Sequence, residues 1–385
     1  MQPRELIAYL TAFTGPLAGN AVLALLGTLQ DEWGVSSAAV LLSIPAFMFP
    51  FAVGQLFSGT ISDAYERRFT LAFGLGVYSI AGFAAAVSPS FPFFMGCRFV
   101  QGIGYAFVSP VLMAVISDIA GPSRQGLSMG YFGMSTSAGV TTGPLLAGFM
   151  AQTNWRFTFV VIGLVALLLL LAILVLFKGE GISKGTVTIN ALGSQLRSVA
   201  LNRNVALLSG AGFLALLSQV GIMSFVSEHL ESSEMALAPF EIGVVLGVSG
   251  FLGLVIAPIS GKLVDMRGAR CCAAVGFSLV GGASFLIQFG GEYWEFLLMM
   301  SVMGIGTSFM WASLLTMLVR AYPSLKGTSS SVFNSARFTG YALSPLVLAP
   351  IYIASGFAAV VLACVSMVVF AFLLAMATDR NLSRR

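Results

Sequence analysis

The chain has 385 residues, of which 57% are hydrophobic and only 9% are charged, whereas soluble domains carry charge on roughly a quarter of their residues. That balance excludes a water-soluble globular domain and predicts an integral membrane protein. Basic residues outnumber acidic ones, 19 to 15, but they are scattered over short segments between apolar runs, which excludes a nucleic-acid-binding face.

Taken in chain order, stretches free of Asp, Glu, Lys and Arg cover 6–30, 33–62, 127–155, 157–177, 204–227, 242–261, 271–291 and 296–319. Each is long enough for the roughly 20 apolar residues of a spanning helix. Residues 69–117 hold one charge, Arg98, and 327–378 hold one, Arg337; each stretch accommodates two spans, broken at Pro89 with Pro92 and at Gly356. The expected spans are therefore 7–29, 38–58, 70–88, 92–115, 127–150, 157–177, 204–226, 240–260, 271–289, 295–319, 328–350 and 356–377. The fold class is an all-α membrane protein with twelve transmembrane helices in two six-helix pseudo-symmetric bundles. Residues 1–177 form the first, 204–385 the second, and 178–203 a cytoplasmic linker. Continuous apolar runs exclude a β-barrel, whose strands alternate lumen-facing and lipid-facing residues.

Orientation follows from the basic residues. With a cytoplasmic N-terminus, Arg4, Arg67, Arg68, Arg124, Lys178, Lys184, Arg197, Arg203, Lys262, Arg267, Arg270, Arg320, Lys326, Arg380, Arg384 and Arg385 all fall on the inner side. Arg156 alone falls in an outer loop. The positive-inside rule then puts both termini in the cytoplasm, with the plasma membrane as the expected location. The first apolar run reads as an uncleaved helix, lacking a small-residue cleavage site. Cys97, Cys271, Cys272 and Cys364 lie in or at the ends of expected helices and read as small apolar packing residues.

The two halves repeat one another. Gly59, Asp63 and Arg68 align with Gly261, Asp265 and Arg270, and Gly102 and Gly104 with Gly304 and Gly306. Gly139 and Pro144 align with Gly340 and Pro345 one residue earlier in register. Duplicated halves are how many carriers are built, so the repeat implies transport.

The motifs resemble those of the major facilitator superfamily, and within it the twelve-helix drug/proton antiporters, over essentially the whole chain. After the second helix comes Gly59, Asp63, Arg67 and Arg68, with Ala64 and Glu66 where that family has Arg and Gly; the second copy has Gly261, Asp265 and Arg270, with Met266 for the first Arg. The resemblance implies a conformational latch at these residues. The fourth helix carries Arg98-Phe-Val-Gln-Gly-Ile-Gly, and the fifth carries Gly139-x-x-x-Gly143-Pro144-x-x-x-Gly148. Glycines four apart give a smooth face for close helix packing and Pro144 bends the helix, so this element reads as a hinge and packing seam.

A charge in mid-bilayer is expensive and belongs in the bundle interior. Arg98 either contacts substrate or serves coupling, as the resemblance implies, or ties the bundle to first-helix carbonyls at the Gly15-Pro16 break and to Asn20. Asn334, Arg337 and Tyr341 share one helical face, and Gln101 and Tyr105 follow Arg98 with similar spacing. In the fold resembled, these faces line a cavity, with Asn20, Gln219 and Trp311 as further substrate-binding candidates. Arg337 either receives substrate or bonds main-chain carbonyls. Proton antiport needs a titratable carboxylate, and the nearest, Asp118 and Glu241, lie at helix ends; they are the coupling candidates with Arg98.

Two transport readings follow: proton-coupled export of a small organic solute, and uniport or exchange of an organic anion bound by Arg98 and Arg337. A membrane sensor or intramembrane enzyme is the remaining class. The sole histidine, His229, sits in an expected outer loop, and no paired catalytic groups, zinc helix or nucleotide-binding loop is present in the sequence. No enzyme activity, cofactor or metal is therefore expected. The expected partners are a small-molecule substrate, protons and the lipid bilayer, with no nucleic acid, and the chain is expected to act as a monomer.

Overall fold

The computed structural model describes residues 3–64, 66–177, 189–232, 235–322 and 326–379, with side chains at 58–64, 117–118, 120–127, 129–130, 189–192, 194 and 326–327 left aside. Among the described residues the chain is helical and contains no strand. Two compact units divide it, Met1–Leu192 and Gly193–Arg385.

The first unit contains α1 (Pro3–Ala21), α2 (Leu26–Trp33), α3 (Ser37–Leu41), α4 (Ser43–Ala64), α5 (Arg67–Ala86), α6 (Phe91–Ala106), α7 (Ser109–Ala151) and α8 (Arg156–Leu176). A short helix, α9 (Ile189–Ala200), straddles the boundary; residues 178–188 of the expected linker lie outside the described residues. The second unit holds α10 (Arg203–Ser232), α11 (Pro239–Arg267), α12 (Ala269–Leu286), α13 (Tyr293–Ala321) and α14 (Lys326–Met376). Among the described residues, ten stretches are long and apolar enough to cross a membrane. The chain is a multi-pass membrane protein.

Local chemistry explains where the helices break. Gly356 has φ 76 and ψ −172, a conformation open to glycine, and it divides α14 where two spans are expected. Between α6 and α7 the break falls earlier than expected: the helix stops at Phe107 and restarts at Ser109, with Pro110 in its first turn. Pro110 supplies no N–H and disfavours helix at the residue before it, so the chain resets there. Helical backbone then runs from Ser109 to Ala151, where two spans, 92–115 and 127–150, are expected. Arg156, the basic residue expected to stand apart in an outer loop, is held by its neighbours. Its Nη1 donates to Ala86 O at 3.1 Å and Ser88 O at 2.9 Å, at the carbonyl end of α5, and its Nη2 meets Glu32 at 2.6 Å. A cation suits a helix C-terminus.

The repeat is written into the packing of each unit. In the first, α1 packs on α7, α4 on α6 and α5 on α6; in the second, α10 packs on α14, α11 on α13 and α12 on α13. A Cβ on Gly104 would lie 2.8 Å from Gly74 O and 2.7 Å from Tyr78 N; one on Gly306 would lie 2.9 Å from Gly276 O and 2.9 Å from Val280 N. Those are the same three positions in the two copies. Gly102 approaches Phe47 O as Gly304 approaches Ser249 O, again in matching positions. These helices cross backbone to backbone, which is why glycine recurs there.

Arginine ties recur as well. Arg68 Nη2 donates to Leu174 O at 2.5 Å, and Arg270 Nη2 donates to Met376 O at 3.0 Å and to Thr378 O, each capping the last helix of its own unit. Asn204 and Asp379 add a reciprocal pair beside the second tie, Nδ2 to Oδ2 at 2.7 Å and Asp379 N to Asn204 Oδ1 at 3.1 Å.

Candidate functional site

Two polar clusters form inside the apolar units, one around each predicted arginine. In the first unit α6 carries Arg98, Gln101 and Tyr105, all buried. Arg98 Nη1 donates to Gln101 Oε1 at 2.7 Å, and its guanidinium carbon lies 4.6 Å from the centre of the Phe47 ring. Cation–π contact and an intrahelical i, i+3 bond thus hold the charge within the packed unit.

First-helix carbonyls are taken by tyrosines. Pro16 has no N–H, so Ala12 O loses its helical partner; Tyr105 OH donates to that oxygen at 3.1 Å. A Cβ on Gly15 would overlap the Tyr105 ring, so glycine opens the path by which the hydroxyl arrives. Tyr78 OH donates to Thr14 O at 2.5 Å and Asn20 Nδ2 to Pro16 O at 2.8 Å. Tyr105 and Tyr78 thus tie α6 and α5 to the Gly15-Pro16 break. Tyr78 and Phe47 carry no polar-in-membrane signal of the kind that draws attention to Arg98, so sequence reading passes over them. Tyr105→Phe leaves Ala12 O unsatisfied in a buried site and is expected to cost about 1–3 kcal/mol, measured as a lower unfolding midpoint of the purified protein. Unchanged stability would mean that another donor serves Ala12 O.

The Gly139–Gly148 element of α7 lies against the same part of α1. A Cβ on Gly139 would come 3.0 Å from Leu17 N and 3.0 Å from Pro16 Cβ, and one on Gly143 would come 3.2 Å from Ala21 N. Pro144 and Gly148 are buried in this helix. The corresponding Gly340 of α14 approaches Phe213 of α10 in the same way.

In the second unit, side chains from three helices converge on Arg337. Its guanidinium carbon lies 5.1 Å from the Trp311 ring centre and 4.6 Å from that of Phe338. Trp311 Nε1 donates to Gln219 Oε1 at 3.4 Å, and its ring meets Phe333 at 6.4 Å edge-on. Trp311 comes from α13, Gln219 from α10, and Arg337 from α14. Asn334 is partly exposed and Tyr341 buried on the same helix. Phe338 escapes sequence reading because neighbours in sequence do not share a helix face. Arg98 has a hydrogen bond to Gln101, whereas Arg337 has no hydrogen bond and no ion pair among the described residues. The Nε of Arg337 is buried without an acceptor there.

The remaining predicted residues are dispersed. Glu241 is exposed, and its Oε2 accepts from Ala238 N at 2.9 Å, capping the start of α11. Arg67 is partly exposed beside Arg68, Asp265 is exposed in the last turn of α11, and a Cβ on Gly261 would meet nothing within 4 Å. The side chains of Asp118, Gly59 and Asp63 lie outside the described residues. A carboxylate not singled out from sequence, Glu5, is buried in α1 at 3% exposure and accepts from Tyr9 OH at 3.4 Å. Among the described residues no cluster of His, Cys, Asp and Glu could hold a metal ion.

The sequence model of the Major Facilitator Superfamily matches residues 8–345 and, in a second match, 208–384. The chain belongs to the major facilitator superfamily. It is 23% identical over 377 residues to Rv1250, an uncharacterised MFS-type transporter of Mycobacterium tuberculosis, a match spanning 84% of this chain but 65% of that protein, just under two thirds of its length. Its identity to the uncharacterised MFS-type transporter YceJ of Bacillus subtilis is 25% over 321 residues, 82% of this chain and 80% of YceJ. A shorter match, 25% over 176 residues, joins 46% of the chain to 45% of the quinolone resistance protein NorA of Staphylococcus aureus. Membership of the superfamily makes the chain a transporter and not an enzyme.

Proposed function

We propose that this transporter is a secondary active exporter that moves a small organic solute across the plasma membrane in exchange for protons, by alternating access of two six-helix bundles. In this reading 1–177 and 204–385 are the bundles, 178–203 joins them in the cytoplasm with both termini, and the chain works as a monomer. The latch role belongs to Gly59, Asp63, Arg67 and Arg68 and to Gly261, Asp265 and Arg270. Similarity to a quinolone resistance protein supports export of an organic compound. The observation that carries solute binding is the convergence of Gln219, Trp311 and Arg337 from three helices, since an intramembrane ion with no hydrogen bond or ion pair among the described residues is costly unless a ligand uses it.

Buried Glu5 is the carboxylate we assign to proton exchange, in preference to Glu241, which caps a helix. The reading is tested in proteoliposomes by following an organic dye with and without a pH gradient, for the wild type and Glu5→Gln. Wild-type transport is expected to fall at least about tenfold when the gradient is collapsed, and Glu5→Gln is expected to transport slowly and indifferently to pH. Transport that ignores the gradient in the wild type would end the proton-exchange reading.

A further inference from the structure

The Arg337 cluster offers hydrogen-bond donors almost exclusively. Arginine brings five N–H groups and no acceptor. Gln219, oriented so that its Oε1 accepts from the Trp311 indole, has its NH2 left over, and no acceptor for it is found among the described residues. Cation–π contact with Trp311 and Phe338 stabilises the charge of Arg337 but supplies no lone pair to its N–H groups. The Nε–H is buried and unbonded, while the residue as a whole remains partly exposed. The protein therefore leaves an N–H of this guanidinium unused, and a solute meets the residue at its partly exposed part.

Among the described residues of the same unit, no acidic side chain pairs with Arg337. Glu241 and Glu295 cap helix starts, accepting from Ala238 N at 2.9 Å and Gly291 N at 2.7 Å, and Asp379 pairs with Asn204 at 2.7 Å. The bound partner must be acceptor-only and negatively charged, and a single guanidinium matches a monoanion better than a dianion. A carboxylate fits: its two oxygens span the side of a guanidinium bidentately. The rings beside the guanidinium are the partly exposed Trp311 and Phe338, so the rest of the solute is apolar.

We propose that the second unit recognises solutes through a carboxylate on an apolar body, received by the N–H edge of Arg337 with the Gln219 amide as second donor. Arg98 takes no part in this site. The proposal rests on the transporter reading and names the solute class for it.

The test is ligand stabilisation of the purified full-length protein in nanodiscs, using benzoate and 2-naphthoate against their neutral isosteres benzamide and 2-naphthamide. The acids are expected to bind at least about tenfold tighter than their amides, the factor that 1.4 kcal/mol of charge-assisted bonding gives. Arg337→Lys, which keeps the charge but loses the fork, is expected to weaken the acids about tenfold and leave the amides unchanged; Gln219→Leu should weaken them severalfold. Equal binding of acid and amide by the wild type overturns the proposal without recourse to any variant, and so does absence of acid binding. Proteoliposome transport of a cationic dye separates the two levels. Dye movement without acid binding leaves the transporter reading standing and removes the carboxylate, whereas acid binding without movement of either solute removes the exporter reading alone.

Discussion

Gly104→Leu is expected to abolish stable folding of the first unit, and Gly306→Leu that of the second. A side chain at 104 must put its Cβ 2.8 Å from Gly74 O and 2.7 Å from Tyr78 N, both backbone atoms of α5, and at 306 the neighbours are the backbone of Gly276 and Val280 in α12. Ordinary overpacking costs about 1–3 kcal/mol because side chains give way. Here only the separation of two helices relieves the contact, so the cost should exceed that range and take most of the stability a domain has, about 5–15 kcal/mol. The measurement is the yield of monodisperse protein and its unfolding midpoint. Gly96→Ala and Gly282→Ala serve as controls, since a Cβ at either position meets nothing within 4 Å; both are expected to be neutral or stabilising by up to about 1 kcal/mol through reduced backbone entropy. A normally folded Gly104→Leu would refute the close crossing itself.

Arg98→Ala ranks second in expected effect, and its comparison with Arg98→Met separates the roles that the sequence leaves open. The residue is fully enclosed, with its charge on Gln101 and the Phe47 ring. Truncation removes both contacts and leaves a cavity, for an expected loss of about 2–5 kcal/mol. Methionine fills most of the volume without a charge, and replacing a buried ion by a hydrophobe of similar size is often neutral or better. Arg98→Met should therefore regain stability to within about 1 kcal/mol of the wild type and keep transport per folded molecule within a few fold. A stable Arg98→Met protein that no longer transports would show that the charge serves coupling.

These outcomes bear on what the sequence could reveal. Charge-free runs and paired glycines mark apolar helices and the repeat because both follow from rules with one solution: lipid demands satisfied backbone, and backbone contact demands glycine. Expected breaks at Pro89 with Pro92 and at Gly356 fall where the helices part, while the break near Pro110 was missed because a proline inside an apolar run reads equally as a tolerated kink. Asn20, Gln101 and Tyr105 were legible as interior polar residues, but whether each serves a solute or a neighbouring carbonyl depends on packing. The Pro16 gap decides it for Tyr105, and that requires knowing which helix crosses α1 there. Arg98 and Arg337 look alike in sequence. Among the described residues Arg98 donates to Gln101 one turn on, whereas Arg337 has ring contacts but no hydrogen bond, a difference that rests on which side chains other helices bring, such as Phe47 and Trp311.

The two arginine ties also bear on how the duplication has lasted. Arg68 and Arg270 both seek the closing carbonyl of the final helix in their repeat, one supplied by a leucine and the other by a methionine. A main-chain oxygen is present whatever side chain stands there, so the acceptor cannot be lost by substitution. Only the arginine is under constraint. Half of each contact is thus invisible to comparison of the two copies by residue identity, and positions 174 and 376 have been free to diverge while the bond they make stayed the same. A search for the ancestral half among short membrane proteins would do better to match donors to helix ends than residues to residues.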